Sequence, residues 1–138
     1  ASCDIDIRYQ ETAERENILS QVRTICETVS VGGTSSKFCI RGEFQPLNPS
    51  KQSSELLALY QDSAAQDNVI VNGEHSGGCA DSGFIAAAGT PVICGVGPVG
   101  GNYHRPDEWM QIDSLAQRAR FIANTILRLA RQPTRSGL

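Results

Sequence analysis

The sequence has little that would commit it to a membrane, a nucleic acid or a disulfide framework. No apolar run approaches the roughly 20 residues that cross a bilayer as a helix, so no membrane partner is expected. There is no basic excess: 12 Lys and Arg stand against 15 Asp and Glu, a net charge of −3. Nucleic-acid binding needs a concentrated basic face, and that class of partner is set aside. Aromatics make up only 6% of the 138 residues, and there are only two histidines, His75 and His104. The start, Ala1-Ser2-Cys3-Asp4, lacks the charged n-region and apolar h-region of a secretory signal. It reads as the middle of a strand, so the chain is expected to begin inside a longer protein. Internal repeats and low-complexity tracts are absent too.

What is present begins with five cysteines: Cys3, Cys26, Cys39, Cys79 and Cys94. Their number is odd, their spacing irregular, and no C-x-x-C pair suggests a thiolate zinc site. Most lie in apolar segments, so they are expected to be buried, reduced thiols of a cytoplasmic protein.

Periodicity divides the chain near residues 45–50. Residues 3–9 alternate, with Cys3, Ile5 and Ile7 on one side and Asp4, Asp6 and Arg8 on the other, which predicts a half-buried strand. Residues 10–29 carry Ile18, Val22, Ile25 and Val29 at steps of four, three and four, one apolar stripe of a helix ended by Gly32-Gly33. Phe38, Ile40 and Phe44 mark a second strand, closed by Pro46 and Pro49. Beyond this β-α-β unit, Ser50 or Ser53 caps a helix with Leu56, Leu57, Leu59 and Tyr60 on its apolar side. Residues 68–71 read as a short strand, 82–88 as a small helix closed by Gly89, and 90–96 as a buried strand. A glycine-rich loop then runs over residues 95–102. Residues 112–131 form the clearest helix, with Leu115, Ala119, Ile122, Ile126 and Leu129 in register and Asp113 or Ser114 as cap. The tail after Pro133 is expected to be loose. The order implies an α/β fold, part of a layered sheet.

Four places could carry chemistry. Gly95-Val96-Gly97-Pro98-Val99-Gly100 fits G-x-G-x-x-G, but Pro98 interrupts it and no helix starts after it, as a dinucleotide site requires. His104 ends that loop and is followed by Arg105-Pro106-Asp107-Glu108; its place suits a metal ligand or acid-base group, but taken alone it reads first as an exposed loop histidine. His75, 29 residues earlier, makes no metal motif with it and is read as structural or exposed. Arg8 beside Asp6 is either a surface ion pair or a two-pronged grip on a substrate carboxylate. Gly77-Gly78-Cys79-Ala80-Asp81 precedes a helix, and its amides could face an anion, or Asp81 could simply cap the helix.

Several segments together resemble a known family. The run from Ser76-Gly77-Gly78-Cys79-Ala80-Asp81 through Ala88-Gly89-Thr90-Pro91-Val92, the Gly95-Val96-Gly97-Pro98 loop, and His104 with Asp107-Glu108 resemble the dinuclear zinc metallopeptidases and amidohydrolases. That family includes glutamate carboxypeptidases, acetylornithine deacetylase, succinyl-diaminopimelate desuccinylase and aminoacylase. Ile5-Asp6-Ile7-Arg8 is similar to the D-x-R strand of its lid. The resemblance implies that residues 1–46 are the second half of a small ferredoxin-like lid or dimerisation domain. Residues 47–138 would be the C-terminal segment of a catalytic domain with a zinc-peptidase-like α/β sheet.

The resemblance also assigns roles. His104 would ligate one of two zincs, with cobalt or manganese as possible replacements. Arg8 would bind the substrate's free carboxylate, and Gly78 and Cys79 would lie against the substrate. No general base is expected in this chain; that glutamate, the bridging Asp and the other ligands belong upstream, so the chain alone is expected to be inactive. The implied partners are an amino-acid or peptide substrate, the rest of the catalytic domain, and a second subunit through the lid. A non-catalytic relative or fragment acting mainly in dimerisation is the alternative. Two departures bear on substrate choice: Ala80 stands where the family carries Ser or Thr, and Gln45-Pro46 stands where relatives carry Arg-Pro.

Overall fold

A computed structural model describes residues 1–132, which hold four helices and one two-stranded sheet. The helices are α1 (Glu14–Glu27), α2 (Lys51–Ala65), α3 (Ser82–Ala87) and α4 (Ile112–Ala130), and the strands are β1 (Gly100–Gly101) and β2 (Trp109–Met110). The chain is thus of mixed α and β type. The tail expected to be loose lies outside the described residues. Among them, no helix is long and apolar enough to cross a membrane.

Contacts separate the described residues into two compact units, one made of Ala1–Asn48 with Ser76–Thr90, the other of Pro49–His75 with the residues from Pro91 onward. In the first unit, α1 starts later and stops earlier than its periodicity predicts. Residues 11–13 form a turn, with the Glu14 amide donating to the Glu11 carbonyl at 2.9 Å. At the other end Thr28 leaves the helix with ψ 113°, and its hydroxyl donates to the Thr24 carbonyl at 2.8 Å. A β-branched residue that satisfies an end carbonyl in this way stops the helix before Gly32-Gly33. Gly33, at φ +79°, then serves the following turn.

This unit is held mainly by polar contacts. Glu43 receives a two-pronged grip from Arg15, one arm of which (Nη2 to Oε2) measures 2.7 Å, and also accepts the Tyr9 hydroxyl at 2.8 Å. The Phe44 and Phe84 rings lie 5.8 Å apart. Gly83 is buried because α3 meets the chain at Gln45, whose carbonyl oxygen would sit 1.9 Å from a Cβ at that position. Only a glycine fits there.

The apolar core lies in the second unit, where α2 packs on α4. Ser50 caps α2 as expected, its hydroxyl accepting the Ser53 amide at 3.0 Å. Tyr60, Ala64 and Phe121 are buried, and the Tyr60 and Phe121 rings meet edge to face at 6.0 Å. Burying a side chain of that size contributes about 1.5–3 kcal/mol. Between the helices Ser63 and Thr125 are also buried; each hydroxyl donates to a carbonyl one turn back, and the two lie 3.3 Å apart. Val69, Val71, Ile93 and Val96 cover the cluster. Tyr60 donates to the Val96 carbonyl at 3.3 Å and Ser53 accepts the Val92 amide at 3.1 Å, so α2 itself anchors the segment after Pro91.

Several expectations fail here. The four segments read as strands, at 3–9, 38–44, 68–71 and 90–96, carry no strand ladder. A strand exists only when a neighbour supplies backbone ladder bonds; residues 3–9 and 38–44 do lie alongside each other, but the bonds that join them, Arg41 to Asp4 and Tyr9 to Glu43, both at 2.8 Å, run through side chains. Ile5 is accordingly 67% exposed and Ile70 87%. The cysteines are free, as expected, but not buried: Cys26 is half-buried and the other four are exposed. On α4 the face that packs is Ser114, Phe121 and Thr125, whereas Leu115, Ile122, Ile126 and Leu129 of the expected stripe are exposed. That helix has two usable faces, and α2 takes the one with small polar residues. Neither Asp113 nor Ser114 caps it; Gln111 holds that position without a side-chain bond.

Candidate functional site

Arg8 and the glycine turn at residues 77–78 belong to the same unit and meet. The guanidinium is 66% exposed; its Nε and Nη2 reach one Asp6 carboxylate oxygen at 3.1 and 2.8 Å. Its Nη1 donates to the Gly77 carbonyl at 2.8 Å. The hydrogen bond and charge of Asp6 hold Arg8 still more firmly in its cationic form. One edge of the guanidinium is thus occupied by a single oxygen of the protein's own Asp6 carboxylate. Gly77 has open space around it, and the Gly78 amide is bonded to the Ser76 hydroxyl at 3.1 Å. Cys79 follows, exposed. Asp81 starts α3 through its carbonyl, which accepts the Phe84 amide at 3.0 Å, while its carboxylate makes no cap bond. The simple capping role for Asp81 therefore does not hold.

His104 belongs to the other unit, at the tip of the β1–β2 hairpin. The strands pair antiparallel, Gly100 with Met110 and Gly101 with Trp109. A Cβ on Gly100 would come within 2.6 Å of the Trp109 carbonyl oxygen, and one on Gly101 within 2.8 Å of the indole nitrogen. The two glycines let the strands close. Beyond them Asn102 and His104 both take left-handed backbone conformations, φ +58° and +64°. Asn102 tolerates this as an asparagine, and its side-chain amide donates to the Asp107 carboxylate at 2.9 Å. Arg105 grips the same carboxylate at 2.9 and 3.3 Å. The His104 backbone N–H donates to Glu108 Oε2 at 3.2 Å.

The hairpin is tied to α4 at its base. Ser114, 4% exposed, accepts the Val99 amide at 2.8 Å and donates to the Gln111 carbonyl at 2.6 Å, while the Gln111 amide donates to the Val99 carbonyl at 2.8 Å. Sequence reasoning named Ser114 only as a helix cap; its bond to Val99, 15 residues earlier, has no local signal.

As a metal donor, His104 is exposed, and among the described residues no group hydrogen-bonds its imidazole. Among the same residues no three His, Cys, Asp or Glu side chains gather where they could hold a metal ion. A zinc centre takes three or four donors, and the described residues do not bring such a set together. His75 is exposed as well.

A profile of the family described as peptidase family M20/M25/M40 matches residues 16–128. The match takes in Gly78, Cys79 and His104 and leaves Arg8 outside. No curated protein and no solved structure gave a significant match.

Proposed function

The chain belongs to peptidase family M20/M25/M40, and from that premise we propose that it is the C-terminal portion of a zinc-dependent hydrolase. Membership itself implies a metal-dependent peptidase or related hydrolase. The finer reading is a carboxypeptidase or N-acyl amino acid deacylase, cleaving an amide bond next to a free carboxylate. The observation that carries it is His104, held in a left-handed conformation at the tip of a braced hairpin within the matched segment. The left-handed region takes histidine more readily than most residues with a Cβ, and the hairpin holds His104 there through its bond to Glu108.

In this reading His104 supplies one imidazole to a two-zinc centre, with cobalt or manganese as substitutes. When bound, the metal pair supplies Lewis acidity toward the amide carbonyl and activates water. Arg8 orients the substrate by its carboxylate, exchanging Asp6 for it, while the turn at Gly78 and Cys79 lies against the substrate backbone. The general base and remaining ligands come from residues outside this sequence. The exposed stripe of α4 and the unpaired segments at 68–71 and 90–96 support this reading, because they are surfaces that a larger catalytic domain would cover. Residues 1–46 would be half of a ferredoxin-like lid through which two subunits pair, and the exposed thiols suit a reducing cytoplasm.

The test is metal content and hydrolysis. A full-length enzyme should bind two zincs per site, and His104→Ala should lower zinc affinity by more than the 10–100-fold typical of changes behind the ligands. Unchanged hydrolysis by that variant would exclude the ligand role. Stoichiometric, tightly held zinc in the 138-residue chain alone would show that the site is complete without upstream residues. A full-length protein that pairs normally but binds no metal would favour the non-catalytic, dimerising alternative.

A further inference from the structure

We propose that Glu108 is a positioning residue that sets the direction of the His104 side chain before any metal arrives. The claim about metal rests on the ligand reading of His104; the claim about conformation does not. At φ +64° His104 lies in the left-handed region, which is uncommon for a residue with a Cβ although histidine enters it more often than most, so the contacts that hold it there matter. The surroundings can be enumerated. The glycine pair of β1 against Trp109 closes the base of the hairpin. Asn102, Arg105 and Asp107 form one cluster, Asp107 accepting from both of the others at 2.9 Å, and this fixes the first and last thirds of the loop. The Arg105 amide donates to the Asn102 carbonyl at 3.1 Å, spanning His104 without touching it. Among the described residues, Glu108 is the one that bonds His104 directly, Oε2 accepting its backbone N–H at 3.2 Å.

The chemistry of that bond suits the task. A carboxylate accepting a peptide N–H is a charge-assisted hydrogen bond, stronger than a neutral one. It fixes the orientation of the peptide plane that enters His104, from which φ +64° sets the Cα–Cβ direction, while leaving both ring nitrogens of His104 available. A carboxylate four residues from a candidate ligand could instead be read as a second ligand. Its contact with the main chain argues for bracing. Asp107 is similarly engaged by Asn102 and Arg105. The two acidic side chains of the loop thus serve its shape, and the imidazole is what it presents.

The conformational half is tested on the labelled 138-residue chain by NMR. The wild type should show slow amide exchange at His104 and the coupling constant of a left-handed residue. Glu108→Ala should accelerate that exchange about tenfold or more, as a locally opened loop does, and average the coupling. Glu108→Gln, which keeps an acceptor oxygen but makes only a neutral bond, should fall between the wild type and Glu108→Ala. Signals of Tyr60 and Phe121 report whether each variant is folded. Unchanged exchange and coupling in Glu108→Ala would overturn the proposal, and so would a Gln variant as damaged as the Ala variant. The metal half is read in the full-length enzyme: Glu108→Ala should weaken zinc binding about 10–100-fold, with KM unchanged and partial rescue by Gln. If the conformational result holds while His104→Ala leaves zinc affinity intact, the ligand reading is overturned and the bracing of His104 stands alone.

Discussion

Replacing Ser114 by alanine probes the joint between α4 and the hairpin that carries His104. The hydroxyl is 4% exposed, accepts the Val99 amide and donates to the Gln111 carbonyl. Alanine deletes both contacts but does not orphan both partners. The Gln111 carbonyl still accepts the Ser114 amide at 3.1 Å. Val99 N–H loses a part-buried bond, and a donor for which water does not replace the lost partner costs about 1–3 kcal/mol. Alanine returns about 0.5 kcal/mol through its higher helix propensity. The expected net loss is therefore about 1–2 kcal/mol, measured by denaturant unfolding with the slope unchanged. Amide exchange at Val99 should quicken in parallel. Ser54→Ala is the control, because that exposed hydroxyl merely bonds the Ser50 carbonyl at 3.1 Å; its effect should fall within about 0.5 kcal/mol. A loss for Ser114→Ala no larger than the control, with Val99 exchange unchanged, would refute the claim that this hydroxyl ties loop to helix.

Other outcomes follow from the same contacts. Gly83→Ala forces a Cβ to within 1.9 Å of the Gln45 carbonyl oxygen and should destabilise by at least the 1–3 kcal/mol typical of overpacking, whereas Gly42→Ala, with open space around it, should not clash. The hydrogen bonds from Arg15 hold the Glu43 carboxyl below its ordinary pKa of 4.5. A depressed carboxyl stabilises the fold above its unfolded pKa and loses that contribution as pH falls through the folded value. Thermal unfolding between pH 7 and pH 3 should therefore show an acid-side loss that Glu43→Gln flattens; an identical slope would exclude the ion pair as its source. In the full-length enzyme Arg8→Ala should raise KM roughly ten- to a hundredfold for substrates with a free carboxylate and leave the corresponding carboxamides unaffected. Equal losses on both substrates would count against the carboxylate grip.

The helices were legible because their signals are local. A serine one residue before Lys51, apolar positions three and four apart, and Gly89 after a short helix all act within one or two turns, and α2, α3 and α4 lie close to where those signals put them. The strands were not legible in the same way. Residues 3–9 alternate correctly, yet alternation says which side would be buried and nothing about the neighbour whose hydrogen bonds make a strand. The cysteines misled for the same reason: an apolar neighbourhood in sequence is not a covered one in space.

For the candidate site the division is similar. His104, Gly78 and Cys79 were singled out from a family pattern in residue order, and the family is what the profile match establishes. The sequence by itself thus determined the family, the helices and the short list of chemical groups, since each depends on residue identity and near spacing. Only the tertiary structure decided that Arg8 meets the Gly77 carbonyl, that α4 turns its Ser114–Phe121–Thr125 face to α2, and that Asn102, Asp107 and Glu108 brace the hairpin at His104. Those choices depend on which surfaces and dipoles come within a few ångströms once the chain has folded, and residue order encodes them only through the whole.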